Sequence, residues 1–269
     1  MTDVRTELSE LDLRPNKALG QNFLTDEAAI ERIVSLASEP GLPMIEIGPG
    51  LGALTEPLSK LSLPLAAVEL DSRLASLLSE KLGSVRIINE DFLKTDLNKL
   101  RASLGGDAVT IVGNLPYYVT TPILKKLVLS GLPIRRMVLM MQSEAAERFL
   151  AGPGDKSYVP ITLESRFLFD ITPVFELSPS SYYPMPDVRS TVLLFEGRGL
   201  TLPDGLHRLL TCAFAMRRKT LVNNLSSLGI GKPEAEAILK EAGISPGARA
   251  EELDLPDFLK LDSVISSRL

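Results

Sequence analysis

The chain has 269 residues, 45% hydrophobic, 23% charged and only 5% aromatic, with a formal net charge of −5. That apolar share is ample for a packed core and excludes a disordered polyelectrolyte, while a single cysteine, Cys212, excludes disulfide frameworks and multi-cysteine metal sites. The opening MTDVRTELSELDL has no basic leader, and no apolar run approaches the roughly 20 residues that cross a bilayer, so a cytoplasmic protein with no membrane partner and no metal is expected.

Pro43–Ile47 is a short apolar run ending at Gly48 and reads as the first buried strand. Pro64–Glu69, Val85–Asn89, Ala108–Val112 and Arg136–Met140 read as the second to fifth. Leu74, Leu77, Leu78 and Leu82 form one stripe at helical spacing. Thr121 before Pro122 offers a capping hydroxyl and opens a helix through Leu129. Strands alternating with helices of this size predict βαβ units and a mostly parallel sheet. After Phe167 the pattern changes to two extended runs, Ile171–Leu177 and Thr191–Glu196. A Pro- and Ser-rich turn over 178–187 joins them, as an antiparallel hairpin at the sheet edge requires. Gly197–Pro203 reads as a linker, and the remainder of the chain reads as helices only, one opened by Pro233 and closed by Gly243. An α/β domain over 1–199 and a small all-helical domain over 200–269 are predicted.

Charge is spread unevenly over these domains. Residues 1–204 carry 26 acids and 20 Lys+Arg, and residues 234–269 carry eight acids and four bases. Between them, 205–233 holds His207, Arg208, Arg217, Arg218, Lys219 and Lys232 with no acid. A solvated helix face and a phosphate-contacting surface are both readings of that island. His207 lies far in sequence from the other site elements, Cys212 reads as a small buried residue, and Tyr118 reads as core.

The loop Glu46-Ile47-Gly48-Pro49-Gly50-Leu51-Gly52 joins the first strand to a helix, where glycines let backbone N–H groups approach a ligand. Gly48, Gly50 and Ala53 also satisfy the dinucleotide pattern, so an NAD(P)-dependent oxidoreductase is one reading. Glu46 tilts the choice, because a carboxylate there repels a pyrophosphate and suits a cation. With Pro49 and Gly52 the loop takes the form associated with S-adenosylmethionine. Glu69 ends the second strand, where it can accept ribose hydroxyls. Asp91 ends the third and can accept from an adenine amino group, with Phe92 placed to lie on the ring.

The fourth strand runs into Asn114-Leu115-Pro116-Tyr117. An exocyclic base amine is a poor nucleophile because its lone pair is delocalised into the ring. The Asn114 side-chain oxygen and the Leu115 carbonyl can each accept one of its N–H groups and aim the lone pair. Pro116 fixes the turn and Tyr117 offers a face for the base. Such catalysis rests on orientation and electrostatics rather than on a strong base.

These segments, together with Lys17–Leu24, Pro179–Ser190 and Phe214–Leu221, resemble the ribosomal RNA adenine N6-dimethyltransferases over essentially the whole chain. This is the family of the bacterial kasugamycin-sensitivity enzyme, related to the erythromycin-resistance methyltransferases. The resemblance implies a Rossmann-like class I S-adenosylmethionine-dependent methyltransferase sheet with a helical RNA-binding domain after it. It implies that Asn22 and Leu24 close over the cofactor, Gly48 and Gly50 contact it, Glu69 holds its ribose, and Asp91 reads its adenine. Asn114 then bridges cofactor and target, and Tyr182 sandwiches a flipped adenine against Tyr117. Arg217, Arg218 and Lys219 become RNA contacts. The implied reaction is dimethylation of two adjacent adenines in a hairpin loop near the 3′ end of small-subunit (16S) RNA, on immature 30S subunits; with no oligomeric signature in the sequence, a monomer is the default. Ser143, Val159 and Asp187 depart from the family's usual Lys, Gly and Lys without touching the methyl-transfer site. An adenine or glutamine methyltransferase with another substrate, and an assembly factor with secondary catalysis, are the competing readings.

Overall fold

The computed structural model describes residues 4–10, 12–16 and 19–268. Lys17 and Ala18 of the Lys17–Leu24 segment, and Met1–Asp3 and Leu11 of the opening stretch, lie outside the described residues. The chain forms two compact units. One comprises the described residues through Ala146 with Asp170–Gly199, and the other Glu147–Phe169 with the described residues from Leu200 onward.

The chain opens with helix α1 (Val4–Glu10), strand β1 (Phe23–Leu24) and helix α2 (Glu27–Ala37). Strands and helices then alternate: β2 (Met44–Ile47), α3 (Thr55–Ser59), β3 (Leu65–Glu69), α4 (Ser72–Lys81), β4 (Arg86–Asn89), α5 (Leu97–Leu104), β5 (Val109–Asn114), α6 (Thr120–Leu129) and β6 (Ile134–Gln142). After α7 (Ser143–Leu150) and α8 (Pro160–Leu168) come β7 (Phe169–Leu177), β8 (Tyr182–Tyr183) and β9 (Ser190–Gly197).

The large sheet has the order β4-β3-β2-β5-β6-β9-β7. The strands from β4 to β6 are parallel, and β9 runs antiparallel to β6. Every residue of β2 and β3 is buried, which explains continuous apolar runs instead of alternation: parallel strands are covered on both faces. Met44, Ala67, Val112 and Val138 pack with Ile30, Ile33 and Ala37 of α2 in one core. The runs at 171–177 and 191–196 lie side by side as β7 and β9, with β7 at the sheet edge. β1 and β8 form a separate two-stranded pair that the sequence pattern does not predict.

Two boundaries differ from expectation. β5 runs past Val112 to Asn114, because Gly113 and Asn114 stay in register with Leu139 and Met140 of β6. Helix α6 starts at Thr120, before Pro122, since the Pro116 carbonyl accepts from Val119 N–H (3.1 Å) and the Thr120 hydroxyl (3.0 Å) and turns the chain early. Pro122 still falls in the first helical turn, where its missing N–H has no intrahelical partner to lose.

The second unit contains α8, α9 (Asp204–Ala213), α10 (Leu221–Asn224), α11 (Lys232–Glu241) and α12 (Leu255–Ser266). Leu206, Leu210, Leu225, Leu239, Phe258 and Leu261 build its core. Tyr158 and Leu163 belong to the same core, and the Tyr158 hydroxyl donates to the Leu253 carbonyl at 3.0 Å. Residues 147–169, expected from the sequence within the 1–199 domain, are thus bound into the helical unit. His207 Nδ1 lies 2.6 Å from Glu164 Oε1, and Cys212 is buried with Sγ 2.8 Å from the Asn224 carbonyl.

Candidate active site

The chain steps outward from β2 to β3 and β4, then returns to the other side of β2 for β5 and β6. That reversal leaves a crevice beyond the carboxyl ends of β2, β3 and β5. A cavity of about 540 Å³ opens there. Asn22, Leu24, Gly48, Gly50, Glu69, Asp91, Phe92, Asn114, Leu115, Pro116 and Tyr117 all line it.

The loop after β2 owes its path to glycine. Gly48, Gly50 and Gly52 have φ of +64°, +60° and +91°, a region side chains rarely adopt. A Cβ on Gly50 would stand 3.1 Å from the Phe23 ring, and one on Gly52 would stand 2.8 Å from Leu78. Glu69 braces this loop: its carboxylate accepts from Gly50 N–H at 3.0 Å and from Asp71 N–H at 2.8 Å. Burial raises the Glu69 pKa, while those two donors pull it back. Glu46 is 2% exposed, and its Oε2 has no hydrogen-bond partner. Burial first, and the Glu69 charge as well, push this carboxyl up to about 8; the facing Thr55 hydroxyl opposes the shift without reaching hydrogen-bond geometry.

Among the described residues six carboxyl residues line the cavity, Glu7, Glu46, Glu56, Glu69, Glu90 and Asp91, against one cation, Lys81. Lys81 itself is held by Glu7 at 3.2 Å and Glu56 at 3.6 Å. A wall of that sign repels a pyrophosphate and suits a cation with no phosphate, which weighs against a dinucleotide. Leu70, Leu93 and Tyr118 are 47%, 37% and 52% exposed at the same cavity. Large apolar groups left open together suit the faces of a flat ring.

At the end of β5, Asn114 Nδ2 donates to the Asn22 carbonyl at 2.9 Å. That bond commits the amide nitrogen and leaves the side-chain oxygen as the acceptor. Leu115 is 1% exposed, its N–H bonded to the Met140 carbonyl at 2.9 Å. Tyr117 is half-buried, its hydroxyl 3.3 Å from Ser190 Oγ. Tyr118, expected in the core, instead lies at the cavity mouth, where a Cβ on Gly20 would meet its ring at 3.4 Å. The turn after Pro116 sends successive side chains apart, and only Tyr117 is directed towards Ser190.

Tyr182 is the one predicted catalytic residue that does not line the cavity. It is 4% exposed and belongs to the core under the sheet. Pairing of β8 with β1 sets this: Tyr182 sits opposite Leu24, which is also buried in that core, while Tyr183 sits opposite Phe23 among the residues packed by α1. Its hydroxyl is buried without a partner. Arg217 is occupied, donating to Glu251 Oε2 at 3.0 Å and to the carbonyls of Lys156 (2.6 Å) and Asp155 (3.2 Å). Arg218 and Lys219 are exposed. Sequence reasoning missed Gln21, whose side chain donates to Asp71 at 3.1 Å, and Ser190; both stand inside the family-like segments, but only the fold shows their partners.

The profile of the ribosomal RNA adenine dimethylase family matches residues 13–266. The chain is 40% identical over 264 residues to the ribosomal RNA small subunit methyltransferase A of Geobacillus thermodenitrificans, covering 93% of this chain and 90% of that protein. It is 39% identical over 266 residues to the protein of the same name from Bacillus cereus, with the same coverage. Among solved structures it is similar to a dimethyladenosine transferase from Plasmodium falciparum, with a TM-score of 0.75, 25% identity and coverage of 89% and 95% of the two chains. It is also similar to the 23S rRNA methyltransferase ErmE, with a TM-score of 0.69, 26% identity and coverage of 91% and 100%.

Proposed function

The chain belongs to the ribosomal RNA adenine dimethylase family, and from that premise we propose that it uses S-adenosylmethionine to dimethylate N6 of two adjacent adenines in a hairpin loop near the 3′ end of small-subunit RNA. We place this activity in the cytoplasm, on immature 30S subunits, with the chain acting as a monomer. Among the described residues no helix is long and apolar enough to cross a membrane. The observation that carries the reading is the meeting of four strand ends at one acidic cavity with Asn114 in its wall.

The residues fit the donor. The glycine loop leaves room for a ligand against its backbone, and the unpartnered Glu46 oxygen gives the site a buried acceptor for positive charge. When bound, the donor supplies a methyl group on a positively charged sulfur, which the amine nitrogen displaces to leave a neutral thioether. Asn22 and Leu24 close over it, Gly48 and Gly50 present backbone to its amino-acid part, and Glu69 receives the ribose hydroxyls with the lone pairs its two backbone donors leave. Asp91 accepts from the adenine amino group, with Phe92 against the ring.

Asn114 Oδ1 and the Leu115 carbonyl accept the target amine's two N–H groups, which draws the nitrogen toward tetrahedral geometry. The Asn22 carbonyl holds the Asn114 amide in the orientation this needs. Proton loss comes after attack, so no strong base is required. Pro116 sets the turn that presents Tyr117 to the flipped base. Tyr182 completes the sandwich only by turning its ring out of the core, and Ser190, which contacts Tyr117, lies on the path. Phosphate contact falls to Arg218 and Lys219, with Arg217 as their internal brace.

The test is methyl transfer from labelled S-adenosylmethionine to undermethylated small subunits, with nucleoside analysis of the RNA. N6,N6-dimethyladenosine is the expected product. Asn114→Ala should lower turnover by roughly 10²–10³-fold, with donor affinity changed far less. Wild-type turnover by that variant, or no incorporation by the parent chain, overturns the reading.

A further inference from the structure

Glu46 is the one acid of the cavity that combines near-complete burial with an oxygen that nothing satisfies. The groups around it are fixed. Glu69 faces it from β3, Thr55 from α3, and Asp91 follows β4 on the same cavity. Lys81 of α4, the one cation among the described residues of the cavity, is committed to Glu7 of α1 and Glu56 of α3, so it does not neutralise Glu46. A buried carboxyl beside a second carboxylate is most stable neutral until a positive ligand arrives. Methyl transfer changes that ligand's charge by one unit, because the donor is a sulfonium and the product a neutral thioether.

We propose that Glu46 sets the preference of this site for the cationic methyl donor over its product: its carboxyl releases a proton as the donor enters and regains one once the sulfonium charge is gone. The inference rests on the donor reading. Glu69 cannot substitute, since both its oxygens already accept backbone N–H bonds and its charge is partly compensated. Glu46 has no backbone donor and only the facing Thr55 hydroxyl to oppose its burial, so its ionisation is the one most sensitive to the charge of what occupies the cavity. The free carboxyl's upward shift to about 8 places this exchange across neutral pH. Donor binding that favours the ionised form strengthens as pH rises and levels off above the free group's pKa.

Calorimetric titration of the whole chain with S-adenosylmethionine and with S-adenosylhomocysteine, at pH 7 in two buffers of different ionisation heat, counts the protons. We expect about one proton released per donor and clearly fewer per product. Donor affinity should rise by about tenfold per pH unit between pH 6 and 7.5, more steeply than product affinity. In Glu46→Gln the count should fall to zero for both nucleosides, with the donor's advantage over product lost. Equal proton counts for the two nucleosides, or release that persists in Glu46→Gln, overturn the proposal; the first comparison needs only the parent chain if the variant does not fold. Binding without proton release overturns this inference alone, whereas failure of either nucleoside to bind removes the donor reading and this inference with it.

Discussion

A buried carboxyl makes folding stability depend on pH with a definite sign, and Glu46 fixes that sign here. Its folded pKa lies above the ordinary 4.5, chiefly through burial, so its contribution is fully present below pH 4.5 and is lost as pH rises toward about 8. Denaturant unfolding should show the parent chain losing stability between pH 5 and 8. Glu46→Gln should remove roughly 3 kcal/mol of that loss, and an unchanged slope would show that Glu46 is ionised throughout. Asp71 works the other way: the Arg73 guanidinium, with Gln21, holds it down to about 2 against its own burial, so its contribution is lost only as pH falls below 3.8. The two windows do not overlap; Glu69, also raised by burial, contributes with the sign of Glu46, so the difference between parent and Glu46→Gln is what isolates Glu46. At this scale the sequence disclosed residues that meet at one cavity but not their partners. Glu46 was legible as an acid before a glycine loop, whereas its neutral form depends on how deeply the fold buries it and, second to that, on Glu69 one strand away. Asn114 was legible as a polar group at a strand end, but the Asn22 carbonyl that holds its amide lies 92 residues earlier.

Elements were legible where a run of residues repeats one environment. The parallel strands announced themselves because both faces are covered, so β2 and β3 contain no alternation to confuse the reading. β1 and β8 were not legible, since two residues carry no periodicity and their pairing partners are about 160 positions apart. Yet this pair does much to build the site. It anchors the Asn22–Leu24 segment, with Thr25 N–H bonded to the Ser181 carbonyl at 2.9 Å, and its two-residue alternation turns Tyr182 inward. Gly113 shows how strand packing and chemistry are joined. A Cβ there would lie 2.9 Å from the Ile47 carbonyl oxygen and 3.1 Å from Ile47 Cβ, both on the neighbouring β2. No side-chain rotation relieves a clash with backbone, so Gly113→Ala must push β5 from β2 and carry Asn114 with it. The expected cost is about 1–3 kcal/mol of stability and, from displacement of Asn114 by a fraction of an ångström to 1 Å, up to about 10²-fold in methyl transfer. A variant with full turnover and the parent's unfolding midpoint would show that the strands have slack the packing does not suggest.

Over the whole molecule, linear charge and spatial charge diverge. The stretch 205–233 contains no acid, yet Arg217 within it is paired with Glu251 from the acid-rich C-terminal stretch, at 2.9 Å, and is bound to two carbonyls of the 147–169 segment. The same segment was unreadable as part of the helical unit because Tyr158 and Leu163 reveal their environment only when α9 and α12 supply it. Composition therefore located a basic island but could not divide it into structural and available charges. Arg208, Arg218, Lys219 and Lys232 are its exposed part, and of these Arg218 and Lys219 follow directly on the braced Arg217. Each phosphate contact on single-stranded RNA steepens the dependence of log affinity on log salt by about 0.7. Replacing both by alanine should flatten that dependence by roughly one to two and weaken binding to small subunits at low salt, with the unfolding midpoint unchanged. Arg217→Ala should do the reverse: the Glu251 pair and two carbonyl bonds go, costing about 1 kcal/mol of stability after allowance for its partial exposure, while the salt slope stays with the parent. If the slope tracks Arg217 instead, its internal bonds give way when RNA arrives and the brace is itself a contact. The pair of slopes thus separates a net charge of −5, which says nothing about RNA, from two exposed side chains proposed to meet it.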